Sequence, residues 1–285
     1  MQFNAQFPTR FIGNDPAAIR DWAQAAEDLG FGQIEVPDHV FGAAPRDGWT
    51  PTYPAEEQFH ETFVMLGFLA ACTKTIGLSS GVLILPQRQT GVVAKQAAEV
   101  DLLSGGRLRL GIGVGWNHVE YEALEADWKT RGRKQAEQVE VLRLLWSEEL
   151  VSYKGRFHEF DNINVTPGPV QRPIPIWFGG SSDNVIRRAA RIGDGWMPIM
   201  KPDETAEAKF AQFRACLAEF GRDDGSVGTE AWLRADSIDP DAWGAGVEAW
   251  RKIGVDQIML YPMLRIETLD GQIGILRRFR EAVGT

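Results

Sequence analysis

Eight short apolar runs punctuate the chain, and each is followed by a stretch of helical character. The runs fall at residues 2–7, 33–37, 76–85, 107–114, 174–179, 195–199, 228–235 and 256–261. Short apolar runs bounded by Gly, Pro, Asn and Asp are strand signals. Between them the period lengthens. Residues 15–29 open with Asp15-Pro16, placing Asn14 or Asp15 before the first turn and Pro16 inside it, and the stretch stops at Gly30. Side-chain acceptors satisfy the free N–H groups of a helix start, Pro suits the first turn, and Gly ends helices. Residues 133–149 set Ala136, Val139, Leu142 and Trp146 on one apolar stripe. Asp239-Pro240 opens a further helix, and 268–282 closes the chain.

Strand alternating with helix eight times predicts a parallel sheet with right-handed crossovers. Eight such units in 285 residues predict closure into an α/β (β/α)8 TIM barrel, one domain over residues 1–285. The longest gap between strands runs from the fourth to the fifth. Its tail, residues 150–173, is polar and proline-rich, and predicts an insertion before strand five with a short hairpin around Lys154-Gly155. The competing topology is an open doubly wound sheet with a nucleotide-binding turn. The glycines Gly111, Gly113 and Gly115 in "GRLRLGIGVGWNH" invite that reading. The third glycine of the G-x-G-x-x-G pattern is replaced by Trp116, too large for close helix–strand packing, and no Lys-Ser or Lys-Thr follows.

Composition narrows the class. The apolar share of 44% and the charged share of 24% are those of an ordinary globular protein. A net charge of −9 disfavours nonspecific binding to nucleic acid or anionic lipid. Cys72 and Cys216 form neither a disulfide framework nor a metal spacing, which suits a reducing, cytoplasmic compartment. No signal-peptide pattern starts the chain and no apolar run reaches membrane-spanning length.

A barrel confines chemistry to the C-terminal ends of its strands. "WFGGSSDNVIRRAAR" ends a strand at Phe178, and two glycines lead into a helix start at Ser181-Ser182-Asp183. Free N–H groups, hydroxyls and the positive end of the helix dipole suit a phosphate monoester there; a tight turn with an ordinary cap reads equally well. Asp38-His39 follows strand two. His39 serves either as an acid–base or hydrogen-bonding group with Asp38 fixing its tautomer, or as a structural pair. His60, His118 and His158 share no ligand spacing with one another, so no metal is expected. No G-x-S-x-G elbow supplies a hydrolase nucleophile. Of the ten tryptophans, Trp22, Trp128, Trp146 and Trp250 fall in helices as packing residues. Trp49, Trp116 and Trp196 fall on C-terminal loops, where flat rings suit a conjugated ligand. The loop 42–58 is long enough to act as a lid or substrate loop.

Together "EVPDHV" (35–40), "SSGVLILPQR" (79–88), "AAEVDLLSGGRLRLGIGVGWN" (97–117), "RGRKQAEQVEVLRLLW" (131–146), "PIPIWFGGSS" (173–182) and "RIGDGWMP" (191–198) resemble the luciferase-like monooxygenase superfamily, in its short branch usually labelled F420-dependent. The resemblance spans nearly the whole chain. It implies an oxidoreductase using FMN or coenzyme F420 on a small organic substrate. It also implies a non-prolyl cis peptide at Gly81–Val82 beside Ser80, a flat ring over the glycines around Gly113, and a phosphate grip at Gly179, Gly180 and Ser181. His39 with Asp38 takes the active-site place. Trp116, Asn117 and Trp196 are expected to border the cofactor, and Trp49, His60 and Lys201 the substrate. Trp116 stands where some F420-using dehydrogenases carry an acidic residue. With only Arg88, Lys201 and Arg265 as rim cations for an anionic F420 tail, the balance falls to FMN. The alternatives are F420-dependent hydride transfer and a non-catalytic flavin-binding protein. A flavin reductase or an F420-reducing enzyme is the expected partner, and the chain is expected to form a homo-oligomer.

Overall fold

The structure, a computed structural model, describes residues 1–235, 239–262 and 264–284. In chain order the strands are β1 (Gln2–Gln6), β2 (Gln33–Val36), β3 (Gly77–Ser80), β4 (Leu83–Ile84), β5 (Leu108–Gly113), β6 (Val151–Lys154), β7 (Glu159–Ile163), β8 (Ile176–Gly179), β9 (Gly195–Met197), β10 (Gly228–Ala235) and β11 (Gln257–Pro262). The main sheet is parallel throughout. β1 pairs with β2 and β11, and the order runs on through β10, β9, β8 and β5 to β3 and β4, which closes the ring. Counting β3 and β4 as one interrupted strand gives the eight strands of a (β/α)8 barrel. β6 and β7 pair antiparallel as the hairpin expected in the insertion before strand five.

The helices α1 (Pro16–Asp28), α2 (Thr62–Cys72), α3 (Thr90–Ser104), α4 (His118–Ala123), α5 (Arg131–Ser147), α6 (Asp183–Ile192), α7 (Glu204–Glu219), α8 (Pro240–Ile253) and α9 (Leu269–Val283) belong to the outer layer and its connections. Asp15 caps α1 by accepting from the Ala17 N–H, with Pro16 in the first turn. Two boundaries differ from the sequence pattern. The run 76–85 is broken because the Gly81–Val82 peptide is cis and leaves the ladder. The run 195–199 keeps only three strand residues.

The apolar core lies between the strands and the helices, where Trp22, Trp146, Trp243, Trp250 and Phe279 are buried. The barrel interior is different. Its lower half is polar and centres on Arg109. That guanidinium donates to Glu35 Oε1 at 2.5 Å, Glu230 Oε2 at 3.0 Å, Gln257 Oε1 at 3.0 Å and Ser79 Oγ at 3.2 Å. It lies 4.3 Å over the Trp177 ring. Trp177 fits because β9 and β10 begin with Gly195 and Gly228: a Cβ on Gly195 would stand 1.9 Å from the indole, and one on Gly228 2.6 Å. Asn4 donates to both Glu230 and Gln257.

One arginine faces two fully buried glutamates in this network. Burial pushes the Glu35 carboxyl well above its ordinary value, and the charge of Glu230 and a hydrogen bond with it push the same way; Arg109 opposes them without prevailing. The folded protein therefore holds a proton that the unfolded chain releases near pH 4.5. The stability tied to that proton is complete below this value and is lost as pH rises through the higher folded value. Glu35→Gln keeps the shape and removes the titration. Its melting temperature, followed from pH 5 to pH 8, should gain on that of the native protein as pH rises. Parallel curves would show that Glu35 is ionised throughout.

Candidate active site at the barrel mouth

The ends of β2, β3, β4, β5 and β8 define one side of the mouth, and glycines decide how closely they approach. A Cβ on Gly113 would meet Val82 Cγ2 at 2.6 Å, and one on Gly179 would meet Val82 Cγ1 at 2.6 Å. A Cβ on Gly111 would strike the Ser80 carbonyl at 2.1 Å, and one on Gly115 the Ile84 side chain at 2.8 Å. The glycine run thus makes room for the Gly81–Val82 bulge, which seats Val82 between β5 and β8. The space that a Cβ on Gly113 or Gly179 would need is taken by the Val82 side chain. Ser80 is buried, its hydroxyl donating to the Gly111 carbonyl at 2.7 Å.

Asp38 leaves β2 with its carboxylate buried. Oδ1 accepts from Arg88 Nη2 at 2.7 Å and Thr62 Oγ1 at 3.0 Å, and Oδ2 accepts from the Ile84 N–H at 2.8 Å. All of these bonds lead away from His39, so the tautomer-fixing role expected of Asp38 is corrected: Asp38 is a clamp. The partner of His39 is Glu120, 81 residues further on, with Nδ1 3.3 Å from Oε2. Oε1 of Glu120 accepts from the N–H groups of Val40 at 2.5 Å and Phe41 at 3.1 Å, and Gln87 donates to Oε2 at 3.3 Å. Burial alone would raise the Glu120 carboxyl. The hydrogen bond and charge of His39, with the two backbone N–H groups, outweigh it and hold Glu120 below the ordinary range. Against an ionised partner Nδ1 carries the proton it donates, and Nε2 is the nitrogen left for another contact. The sequence held one hint of Glu120: it stands three residues after the cap Asn117, whose Oδ1 accepts from the Val119 and Glu120 N–H groups at 3.1 and 3.3 Å. That pattern predicts a cap, not a bond to a distant histidine.

Aromatic rings surround His39. Phe59 lies 4.8 Å from it, Trp116 5.5 Å and Tyr53 5.7 Å between centroids, all edge-on. Trp49 stacks 6.3 Å from Trp116 and stands 4.8 Å from His118. The loop 42–58 therefore supplies Trp49 and Tyr53 to the mouth. Tyr53 and Phe59 escaped the sequence reading because nothing local marks them. His60 turns away from this cluster to Phe7, 6.0 Å between centroids. His158 is remote, held by Glu137 and Thr90 at the hairpin.

Across the mouth, β8 runs through Gly179 and Gly180 into α6. Gly180 has a φ of +118°, open to glycine. Its N–H donates to the Met197 carbonyl at 3.0 Å and is thereby engaged within the protein. Ser182 stands in the cap position and makes no side-chain cap bond. The Ser181 hydroxyl donates to the Ile199 carbonyl at 3.1 Å and accepts from the Ile199 N–H at 3.0 Å. Trp196 is also corrected. It is fully buried on the outer face of the barrel, packed 4.9 Å from Phe210 and from Phe213, and its Nε1 supports the turn by donating to the Gly180 carbonyl at 2.8 Å. In a three-residue strand, alternation sends Met197 inward, beside Gly111, and Trp196 outward. Lys201 is exposed on the loop after β9. Among the described residues no group of His, Cys, Asp and Glu is placed to hold a metal, and no helix is long and apolar enough to cross a membrane.

A barrel with this bulge, and with a histidine at the end of its second strand, matches one family model. Residues 1–235 fit the luciferase-like monooxygenase family, and the chain belongs to it. An FMNH2-dependent dimethylsulfone monooxygenase of Pseudomonas fluorescens is 30% identical over 78% of this chain and 58% of its own length. An uncharacterised protein of Mycobacterium tuberculosis is 36% identical over 61% of this chain, which spans 62% of that relative's length. Among solved structures, the monooxygenase RslO1 from Streptomyces bottropensis superposes with a TM-score of 0.82 over 99% of this chain and 98% of its own, at 20% identity. An F420-dependent secondary alcohol dehydrogenase reaches a TM-score of 0.79 over the whole of both chains, at 18% identity. At these identities the last two speak for the fold.

Removing the Asp38 carboxylate strands buried partners. Asp38→Ala should lower unfolding free energy by about 3–5 kcal/mol, the usual cost of breaking a buried ion pair, because Arg88 and the Ile84 N–H lose their acceptor together. Urea unfolding measures it; a loss under 1 kcal/mol would deny Asp38 the clamp.

Proposed function

We propose that the protein is an oxidoreductase that binds FMN and acts on a small organic substrate at this mouth. The observation that carries the reading is the start of α6: a helix entered through two glycines, with no side-chain cap, opening on the same mouth as His39. Unpaired N–H groups and the positive end of the dipole suit a phosphate monoester, with Ser182 adding a hydroxyl. Val82, wedged between Gly113 and Gly179, offers an apolar face to one side of a flat ring, and His39 offers a polar group at its edge. When bound, reduced flavin supplies electrons for oxygen activation.

The chain's own residues have three tasks in this reading. The helix start holds the phosphate. The aromatic rings of Tyr53, Phe59 and Trp116 exclude water from the reacting edge. His39, supported at Nδ1 by an ionised Glu120, takes or gives a proton at Nε2, and Glu120 stabilises the cation that results. Glu120 acts through His39 and is a positioning residue.

FMN is favoured over F420 by the state of the rim cations. Arg88 is engaged by Asp38 and Glu61, and Arg265 by Glu267. These pairings leave Lys201 with little help in holding an anionic tail. The name of the sulfone monooxygenase relative points the same way, and that of the alcohol dehydrogenase points to F420. A flavin reductase is the matching source of reduced cofactor.

Mixing the protein with FMN or with F420 and desalting tests the reading directly. The flavin spectrum should stay with the protein. Gly180→Val, which cannot keep the native φ, should weaken retention at least tenfold, about 1.4 kcal/mol. Retention of F420 alone would transfer the site to hydride chemistry, and retention of neither would remove the proposal.

His39→Ala should lower turnover by about 10²–10⁴, the usual worth of general acid–base help, with cofactor retention nearly unchanged. Steady-state kinetics beside a melting curve checks it. Normal turnover with a lowered melting temperature would reduce His39 to a packing residue.

A further inference from the structure

Residues 42–58 stand over His39 on little support. Ala43 is the one buried residue among them. The backbone is pinched at a neck, where a Cβ on Gly42 would lie 2.2 Å from the Ala55 carbonyl oxygen. Ends that meet in this way make an Ω-loop. Its concavity, about 310 Å³, is walled by loop residues alone, among them Pro45, Thr50 and Pro54, so its interior is open rather than packed. Pro45, Pro51 and Pro54 stiffen the chain between the ends. At the tip Arg46 and Trp49 exchange backbone hydrogen bonds of 3.0 and 2.9 Å around Gly48, whose φ is +75°. Such a segment moves as one body. Its ties to the barrel differ in weight. Glu57, beyond the neck, pairs with Arg10 at 2.7 Å and anchors the base. Arg46 pairs with Glu122 at 2.8 Å, but both side chains are more than half exposed and the pair adds little. The firmer hold at the tip is Trp49, stacked on Trp116 and edge-on to His118.

Beneath the loop His39 is enclosed, with 13% of its side chain exposed. The space it borders with Tyr53, Phe59 and Trp116 is about 10 Å³, room for one water at most. The neighbouring cavity, about 30 Å³, has Tyr53 and Phe59 in its wall as well. Of the three rings around His39, Tyr53 alone belongs to the loop. Swinging the loop withdraws Tyr53, joins the two spaces and bares the imidazole. We infer that residues 42–58 are a flap, shut over His39 in this structure, which swings about its neck at Gly42 and Ala55 to admit substrate, with Trp49 as its latch. The inference rests on the reading above in placing the chemistry at His39, and not on which cofactor is held.

Diethyl pyrocarbonate, which acylates accessible imidazole nitrogens, tests the flap on the full chain without cofactor. Peptide mass spectrometry reads its rate at each of the four histidines. Two variants loosen the flap at different points. Trp49→Ala removes the latch, and Trp49 reaches Trp116 and His118 rather than His39. Gly42→Ala forces the neck apart, where its Cβ meets the Ala55 backbone and no ring. Each should speed modification of His39 by about tenfold or more, a shift of about 1.4 kcal/mol toward the open form. Trp49→Phe, which keeps a ring at the latch, should stay near the native rate. His158, remote at the hairpin, should react at its native rate in every variant. A variant that speeds His158 as well has unfolded, and the other then decides. Native rates at His39 in both alanine variants, or a native His39 already as reactive as a histidine in a short peptide, would overturn the flap. FMN retention on the same preparations separates the two proposals. A flap that opens on protein releasing FMN refutes the cofactor reading alone, and one that does not open on protein retaining FMN refutes the flap alone.

Discussion

The buried carboxylate of Asp38 fixes everything around the mouth. It leaves β2 and takes donors from three other places: the α2 start through Thr62, β4 through Ile84, and the rim through Arg88. A carboxylate in a dry setting is tolerated only when its oxygens are answered. Here the answers come from segments that have to be aligned for the Gly81–Val82 bulge to sit beside Gly113 and Gly179. His39 follows Asp38 in the chain, so the clamp also sets where the imidazole emerges.

Much of the fold was legible because barrels repeat. Eight apolar runs, each followed by a helical stretch, fix the class whatever the exact boundaries, and the polar tract at 150–173 announced its own departure from the rhythm. What the pattern could not show is which way a short strand faces. Trp196 lay on a loop by sequence and is in the core by structure, because β9 has three residues and gives no period to read. The glycines after β5 posed a subtler problem. Small residues signal that something comes close, and only the fold shows that the visitor is the bulge carrying Val82.

The site was legible in proportion to how local it is. The Gly-Gly-Ser-Ser junction is contiguous and could be seen at once, though not that the Gly180 N–H is already engaged by Met197. His39 was visible by its place at a strand end. Its partner Glu120 was not, since 81 residues separate them and the nearer acid, Asp38, was the obvious choice. Tyr53 and Phe59 come from a loop whose closure no local rule dictates. Polar residues inside the barrel, Glu35, Arg109 and Glu230, were hidden inside strand patterns read only for their apolar members.

Ser181 gives the mouth a property that belongs to no single residue. Its hydroxyl both donates to and accepts from the backbone of Ile199, so the turn that starts α6 and the loop that leaves β9 share one hinge pin. Any ligand that orders the first restricts the second, and fraying of the second loosens the first. If the helix start holds a phosphate as proposed, hydrogen exchange at the Ile199 N–H should slow when it is filled. Information about one end of a bound molecule becomes readable on a surface that need not touch it.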